Sequence, residues 1–354
     1  MEEEVLKLRE QVLTARRTHS PLRLHGARTK DFYGEAAAAG APLDLRSYRG
    51  IIAYEPSELV LRARCGTPLS EIETALGEHR QFLAFEPPAF GADPTLGGII
   101  ASGLSGPRRP AVGAARDFVL GTTLMASDGE LLHFGGQVMK NVAGFDVARL
   151  LCGSLGILGI LMDISLKVLP RPRAEETLRL EMTAAQAIEA FNRWAGRPLP
   201  VSAAAWHEGA AWVRLSGAEP AVRAAAAELG GDRVFAVLAG KWWDALRHHT
   251  HPTLTDPQLW RLAVPQATPP LPLRGEPLIE WGGAVRWYAG DVADEKLVRE
   301  TVRAVDGSAL RWRGPSTGGR FHPLSPALLG IHRRLKQQFD PEGIFNPGRL
   351  LAEL

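Results

Sequence analysis

The chain has 354 residues, enough for about two domains, and its 41 basic against 39 acidic residues leave a formal charge of +2. That balance excludes an electrostatic nucleic-acid binder, which carries a basic excess on its binding domain. Cys65 and Cys152 are the only cysteines; two exclude a disulfide scaffold and cannot supply the four thiolates of an iron–sulfur cluster, so redox chemistry here needs an organic cofactor or another chain.

The N-terminus opens on Glu2, Glu3 and Glu4, where a secretory signal is basic. Val5, Leu8 and Val12, with Leu6 and Leu13 beside them, predict a short amphipathic helix within Met1–Arg17. No apolar run approaches the ~18 residues of a membrane span. The expected location is the cytoplasm, with membrane contact only through a partner. From Pro21 to Pro172 the chain reads as short strands and glycine-rich loops. Strands are predicted at Leu22–Leu24, Ile51–Tyr54 and Leu59–Arg64. A helix follows, with Thr67 as its cap, Pro68 in the first position, Leu69, Ile72 and Leu76 as its stripe and Gly77 as its stop. Phe118–Ala126 and Glu130–Phe134 flank Ser127-Asp128-Gly129, an Asp-Gly hairpin signal. Ile157–Val168 is a further apolar strand.

Pro170-Arg171-Pro172-Arg173 predicts a boundary, beyond which the composition turns rich in Ala, Trp and Arg. Thr183–Ala195 and Glu219–Leu229 read as helices; Trp212–Leu215, Val234–Ala239 and Ile279–Tyr288 read as strands. The alternation predicts a compact α+β domain. Near the end, Ser325 caps a helix, Pro326 starts it, and Leu328, Ile331, Leu335 and Phe339 make its stripe. The expected division is 1–172, 173–310 and 311–354.

The common nucleotide and hydrolase motifs are missing: no Gly-x-Gly-x-x-Gly after a strand, no Walker loop, no nucleophile elbow and no His-Glu-x-x-His. Three other glycine loops remain. His25-Gly26-Ala27-Arg28-Thr29-Lys30 follows a strand; tight loops of this kind gather backbone N–H groups into an anion cradle. Taken alone it reads first as a basic surface turn. Asp93-Pro94-Thr95-Leu96-Gly97-Gly98 runs into Ala101-Ser102-Gly103-Leu104-Ser105-Gly106, where small residues allow backbone to approach a large ligand. Its interleaved Leu96, Ile99, Ile100 and Leu104 favour an ordered segment over a flexible linker. Gly153-Ser154-Leu155-Gly156-Ile157-Leu158-Gly159-Ile160 opens the last strand and reads equally as ligand-lining or as plain strand–loop packing.

Three glycine loops in this order resemble the FAD-binding domain of the vanillyl-alcohol oxidase and p-cresol methylhydroxylase (PCMH-type) flavoproteins. Longer stretches resemble the GlcE-type subunits of glycolate oxidase (glycolate dehydrogenase). They are Pro87-Pro88, Pro94–Gly98, Gly106–Pro110, Arg116–Gly121 and Phe134–Gly144, then Phe321–Pro326, Phe339-Asp340-Pro341 and Asn346-Pro347-Gly348-Arg349. The resemblance implies an α+β fold: a PCMH-type FAD-binding domain of two α+β subdomains, an α+β cap domain, and a C-terminal segment returning to the flavin. It implies that Gly26, Ala27, Arg28, Thr29 and Lys30 hold the pyrophosphate, and that Pro94, Thr95, Gly97, Gly98, Ser102 and Gly103 line pyrophosphate and flavin. Gly156 and Ile160 would lie along the adenosine half, and Asn346 and Arg349 near the flavin ring. The family's Arg-Gly-Gly is His25-Gly26-Ala27 here, and Arg28 stands where some relatives attach FAD through His, so non-covalent FAD is expected.

The function implied is that of an FAD-binding subunit in a complex oxidising glycolate to glyoxylate. Its expected partners are a catalytic flavoprotein subunit and an iron–sulfur subunit, with a small 2-hydroxy acid as substrate and no nucleic acid. Two alternatives stand beside it: a self-sufficient FAD-dependent 2-hydroxy-acid dehydrogenase of D-lactate type, and a non-catalytic assembly subunit. His322 is the candidate general base, with a structural role equally open. His248, His249 and His251 read as packing or surface residues, with no metal expected. Trp242 and Trp243 read as core aromatics or as a partner contact.

Overall fold

The computed structural model describes residues 3–36, 40–91, 93–136 and 146–354; Gln137–Gly144 of the long family stretch lies outside them. The chain divides into two compact units. The first comprises residues 1–104, 114–170 and 323–354, the second 105–113 and 171–322. The contacts thus place Ser105–Gly113 with the second unit and carry that unit to His322, where the sequence suggested a boundary at 310.

In the first unit, helix Glu3–Thr18 buries Val5, Leu8, Val12 and Ala15, one stripe at helical spacing. That stripe joins a core of Leu22, Leu43, Cys65, Met125, Ile160, Met162, Ile344 and Phe345. Leu6 faces solvent. Strand Leu22–His25 pairs in parallel with Ala41–Asp44, and Phe345 bridges Leu22 in parallel, so the C-terminal segment extends this ladder. A five-stranded antiparallel sheet runs in the order 51–55, 60–64, 160–167, 119–125, 131–135. The Asp128-Gly129 turn closes its hairpin as predicted, with Gly129 at φ +77° and the Glu130 N–H donating to Asp128 Oδ1.

Helix Leu69–Glu78 buries the predicted Leu69, Ile72 and Leu76, but Pro68 is its cap and Gly77 lies inside it. Thr67 instead donates its hydroxyl to Arg64 O at 2.7 Å and accepts the Gly50 N–H at 2.9 Å. A satisfied tertiary partner outcompetes the local cap. Leu96–Ser102, read only as a ligand-lining segment, is a helix capped by Thr95 and stopped by left-handed Gly103.

The second unit is built on an eight-stranded antiparallel sheet in the order 232–234, 174–181, 210–217, 201–207, 278–280, 285–289, 259–263, 308–313. Helices Ala184–Ala195 and Glu219–Leu229 pack Phe191, Trp194, Val222 and Ala225 against Leu178, Val213 and Leu215. Two expectations are corrected. Val234–Ala239 is not a strand; Ala236–Arg247 is a helix, because Ala239, Trp243 and Leu246 recur at helical spacing and are buried together. Ile279–Tyr288 is not one strand but two, broken at Trp281, Gly282 and Gly283, all at positive φ. A Cβ at Gly283 would lie 2.5 Å from Gln266 O, so only glycine fits the break.

Helix Pro326–Phe339 begins as predicted, with the Ser325 hydroxyl accepting the Leu328 N–H. Its stripe departs from expectation: Leu328 and Ile331 are exposed, and Lys336 is the helix's buried residue. No helix among the described residues is long and apolar enough to cross a membrane.

Candidate functional site

One cleft in the first unit gathers the three glycine loops and the C-terminal segment. Its lining includes Gly26 to Lys30, Pro94, Thr95, Gly97, Gly98, Ser102, Gly156, Asn346 and Arg349, together with His25, Cys65 and Leu161. Two expected residues fall outside it. Gly103, at φ +64°, ends its helix; a Cβ there would lie 3.1 Å from Gly153 Cα, so its role is to let that turn pass. Ile160 is fully buried in the core beside Val12 and Phe345.

The first loop leaves its donors open. Among the described residues, the backbone N–H groups of Ala27, Arg28, Thr29 and Lys30 donate to no carbonyl. Arg28 sits at φ +60°, so the left-handed position of the loop is held by a residue other than glycine. A left-handed turn within consecutive N–H groups makes an anion-binding concavity. Glycine is required two residues earlier, where a Cβ at Gly26 would overlap Thr95 Oγ1. The replacement of the family's second glycine by Ala27 therefore leaves the demanding position intact. Lys30 donates to Thr29 Oγ1 at 3.4 Å and lies 5.7 Å from the Phe90 ring, with no carboxylate paired to it among the described residues. Burial lowers its amine to about 8.

The second loop is fixed from beneath. Leu96 N–H donates to Thr67 O at 2.9 Å and Gly97 N–H to Cys65 O at 2.7 Å, while Thr95 Oγ1 caps Gly98. A Cβ at Gly97 would press on Cys65 Cβ at 2.9 Å, so that glycine serves packing. At Gly98 a Cβ would meet only Thr95 Oγ1, at 3.4 Å, and a longer side chain would project into the cleft. The Cys65 thiol is pushed up to about 12 by burial and by Asp163, and Cys152 to about 12 by burial; neither is a thiolate at neutral pH.

The C-terminal residues line the cleft in a role the sequence did not indicate. Asn346 accepts the Leu24 N–H through Oδ1 and donates Nδ2–H to Leu155 O, both at 2.8 Å. A Cβ at Gly156 would lie 2.8 Å from that Nδ2, which explains glycine there. Arg349 donates to the carbonyls of Glu35 at 2.6 Å, Asp31 at 2.9 Å, Lys30 at 3.1 Å and also Tyr33. Asn346 therefore ties the strand that leads into the first loop to the third loop, and Arg349 braces the chain that leaves the first loop. No local motif reveals this, because the partners lie more than 300 residues away for Arg349.

His322 belongs to the second unit and does not line this cleft. Its Nδ1 accepts the Ala309 N–H at 3.3 Å, which puts the ring proton on Nε2. Burial and the neighbouring Arg299 and Arg303 lower its pKa, so the ring is neutral. The histidine cluster is packing. His249 stacks on Trp312 at 5.0 Å and meets Trp287 edge-on, and burial, with Arg261, Arg313 and His248, lowers it to about 3. His251 caps helix Pro252–Thr255 and packs on His207 and Trp242. Among the described residues no group of three or more His, Cys, Asp or Glu is disposed to hold a metal. Trp242 stacks on Trp212 at 4.3 Å and buried Trp243 donates to Thr177 Oγ1 at 3.0 Å, so this pair packs within its own unit.

Comparison with known proteins returns a consistent set. Residues 3–135 match the model of the FAD binding domain family. Glycolate oxidase subunit GlcE of Escherichia coli (strain K12) is 47% identical over 348 residues, spanning 98% of this chain and 97% of that protein. Glycolate oxidase subunit GlcD of Bacillus subtilis (strain 168) is 38% identical over 84 residues, 24% of this chain and 18% of its own length. A solved structure of alkyldihydroxyacetonephosphate synthase superposes with a TM-score of 0.68 at 14% identity, over 97% of this chain and 74% of that one; at this identity the likeness concerns fold alone.

Proposed function

The chain belongs to the family of GlcE-type glycolate oxidase subunits, and on that premise we propose that it is the FAD-binding subunit of a complex oxidising glycolate to glyoxylate. FAD would be held non-covalently in the cleft of the first unit. The residues fit the cofactor. The open N–H groups of Ala27 to Lys30 and the unpaired Lys30 ammonium suit a pyrophosphate. Gly98 leaves room that any longer side chain would fill. His25, the histidine of the lining, ends strand Leu22–His25 ahead of the loop, and Arg28 offers no nucleophile for a flavin bond. The observation that carries the reading is the first loop: four consecutive N–H groups that donate to no carbonyl and one desolvated ammonium, on residues that line the same cleft.

Bound FAD supplies a two-electron acceptor for the hydride leaving the hydroxy acid. The protein's own contribution is positional. Thr67 and Cys65 carbonyls fix the helix that carries Gly97 and Gly98, Asn346 ties the strand leading into the first loop to Leu155, and Arg349 holds the chain where that loop ends at Lys30. His322 does not serve as general base, because the ring nitrogen able to take a proton already accepts from Ala309.

The complex includes a GlcD-type flavoprotein subunit. An iron–sulfur subunit takes the electrons onward, since this chain's two cysteines, Cys65 buried and Cys152 half-buried, are unionised thiols and too few for a cluster. The complex is cytoplasmic and meets a membrane through a partner. The test is direct. The purified chain is expected to be yellow, to release all its FAD on acid denaturation, and to support dye-linked glycolate oxidation when co-produced with its partners. A colourless chain that cannot be reconstituted with FAD overturns the reading. Flavin remaining on the acid-precipitated protein overturns the non-covalent assignment.

A further inference from the structure

Helix Pro326–Phe339 is held at one end and uncovered at the other. Lys336 anchors it, donating to Asp340 Oδ2 at 2.6 Å and to the carbonyls of Ile157 and Phe345 at 2.8 Å. Arg333 pairs with Glu353 at 3.0 Å. Toward the N-terminus, five and eight residues from Lys336, Ile331 is 43% and Leu328 47% exposed, although both belong to the helix's apolar stripe. Helices in proteins are stabilised mainly by burying such a stripe. Here the buried ion pair secures the helix and leaves two large aliphatic side chains in water.

The charge beside them specifies the occupant. The helix sequence Pro326–Phe339 contains no Asp or Glu. Arg334 lies three residues after Ile331, on a neighbouring surface of the helix, and is exposed with no ion pair among the described residues. An apolar centre edged by an unpaired guanidinium is the composition of a protein-binding patch. A second copy is a poor occupant: a two-fold contact of this face with itself brings Arg334 toward Arg334, and the nearby Glu353 is already engaged. A membrane surface is also disfavoured, since two aliphatic residues fall short of the broad apolar face of an interfacial helix.

We propose that the Leu328–Ile331 face, edged by Arg334, docks a partner subunit through an apolar surface flanked by carboxylates. This rests on the reading of the chain as one subunit of a complex. The docking face also leads to the cofactor cleft. Lys336 holds Ile157, and Leu155, Gly156 and Gly159 of the same segment line that cleft.

The experiment co-produces the full chain with the GlcD-type subunit of the same organism and measures affinity capture. Leu328→Glu/Ile331→Glu and Arg334→Glu are each expected to weaken capture by at least about tenfold. FAD content and thermal midpoint should match the unmodified chain, because these side chains neither line the cleft nor enter the core. Raising salt should weaken capture of the unmodified chain more than that of Arg334→Glu. If the unmodified chain captures the subunit and the variants do so equally well, the docking face is refuted while the subunit reading stands. If the unmodified chain captures nothing, both fall. A dimer in gel filtration that Ile331→Glu dissolves, or binding to phosphatidylserine vesicles that it abolishes, with capture unaffected, would overturn the assignment in favour of a second copy or a membrane.

Discussion

Two lysines of the first unit sit in opposite surroundings. Lys336 reaches a carboxylate and two carbonyls within 2.8 Å, all supplied by the protein. Lys30 has one hydroxyl at 3.4 Å and an aromatic ring, beside four N–H groups that donate to no carbonyl. Burial lowers the pKa of both, and at Lys336 the charge and hydrogen bond of Asp340 oppose that effect. The first site is complete without a ligand and serves the fold. The second leaves its donors open, which is what the proposed anion requires. Partner accounting around a buried charge thus separates a brace from a binding site.

The largest expected effect tests the brace. Lys336→Met leaves Asp340 buried without its cation and should destabilise the first unit by about 3–5 kcal/mol in denaturant unfolding. An unchanged midpoint would break the contrast. Gly98→Leu should eliminate bound FAD, read as visible absorbance of the purified protein, while apo-protein stability changes little, because the added side chain enters the cleft rather than the core. Lys30→Met should weaken FAD binding about 10- to 100-fold, as loss of a charge-assisted contact, without lowering apo stability. The pH dependence follows from the sign of its shift. An anion favours protonated Lys30, whose pKa in the free protein is about 8, so FAD affinity is high below that pH and falls as pH rises through it. The Met variant should lose that dependence in a titration.

The smallest effect lies in the second unit. Glu295 accepts from Arg299, Ser316, Thr317 and Gly318, and these hydrogen bonds outweigh desolvation to hold its carboxyl at about 2. A depressed carboxyl stabilises the fold above its ordinary pKa and loses that contribution as pH falls toward 2. Glu295→Gln should cost about 1 kcal/mol, since the amide keeps an acceptor oxygen, and should flatten the acid limb of stability between pH 4.5 and 2. Like Lys336, Glu295 is a completed site, so its variant should leave FAD affinity untouched.

The sequence alone determined the features that depend on near neighbours. The Asp128-Gly129 hairpin, the stripes of Leu69, Ile72 and Leu76 and of Val5, Leu8 and Val12, and the Ser325 cap follow from turn chemistry and periodicity, which act within a few residues. The glycine loops were read as cofactor loops because their order resembles a family's, and the fold brings them to one cleft. Tertiary structure decided where partners come from distant segments. It turned Asn346 and Arg349 into braces, moved Ile160 into the core, made Thr67 a cross-link, and converted Val234–Ala239 into the start of a helix. It also left Leu328 and Ile331 exposed on a stripe that periodicity assigns to the interior. A periodic pattern specifies which residues share a face, but whether that face is covered depends on chain brought there from elsewhere. Likewise, the sequence shows Lys30 and Lys336 only as lysines in polar stretches, and the fold shows that both are desolvated and which of them is already paired.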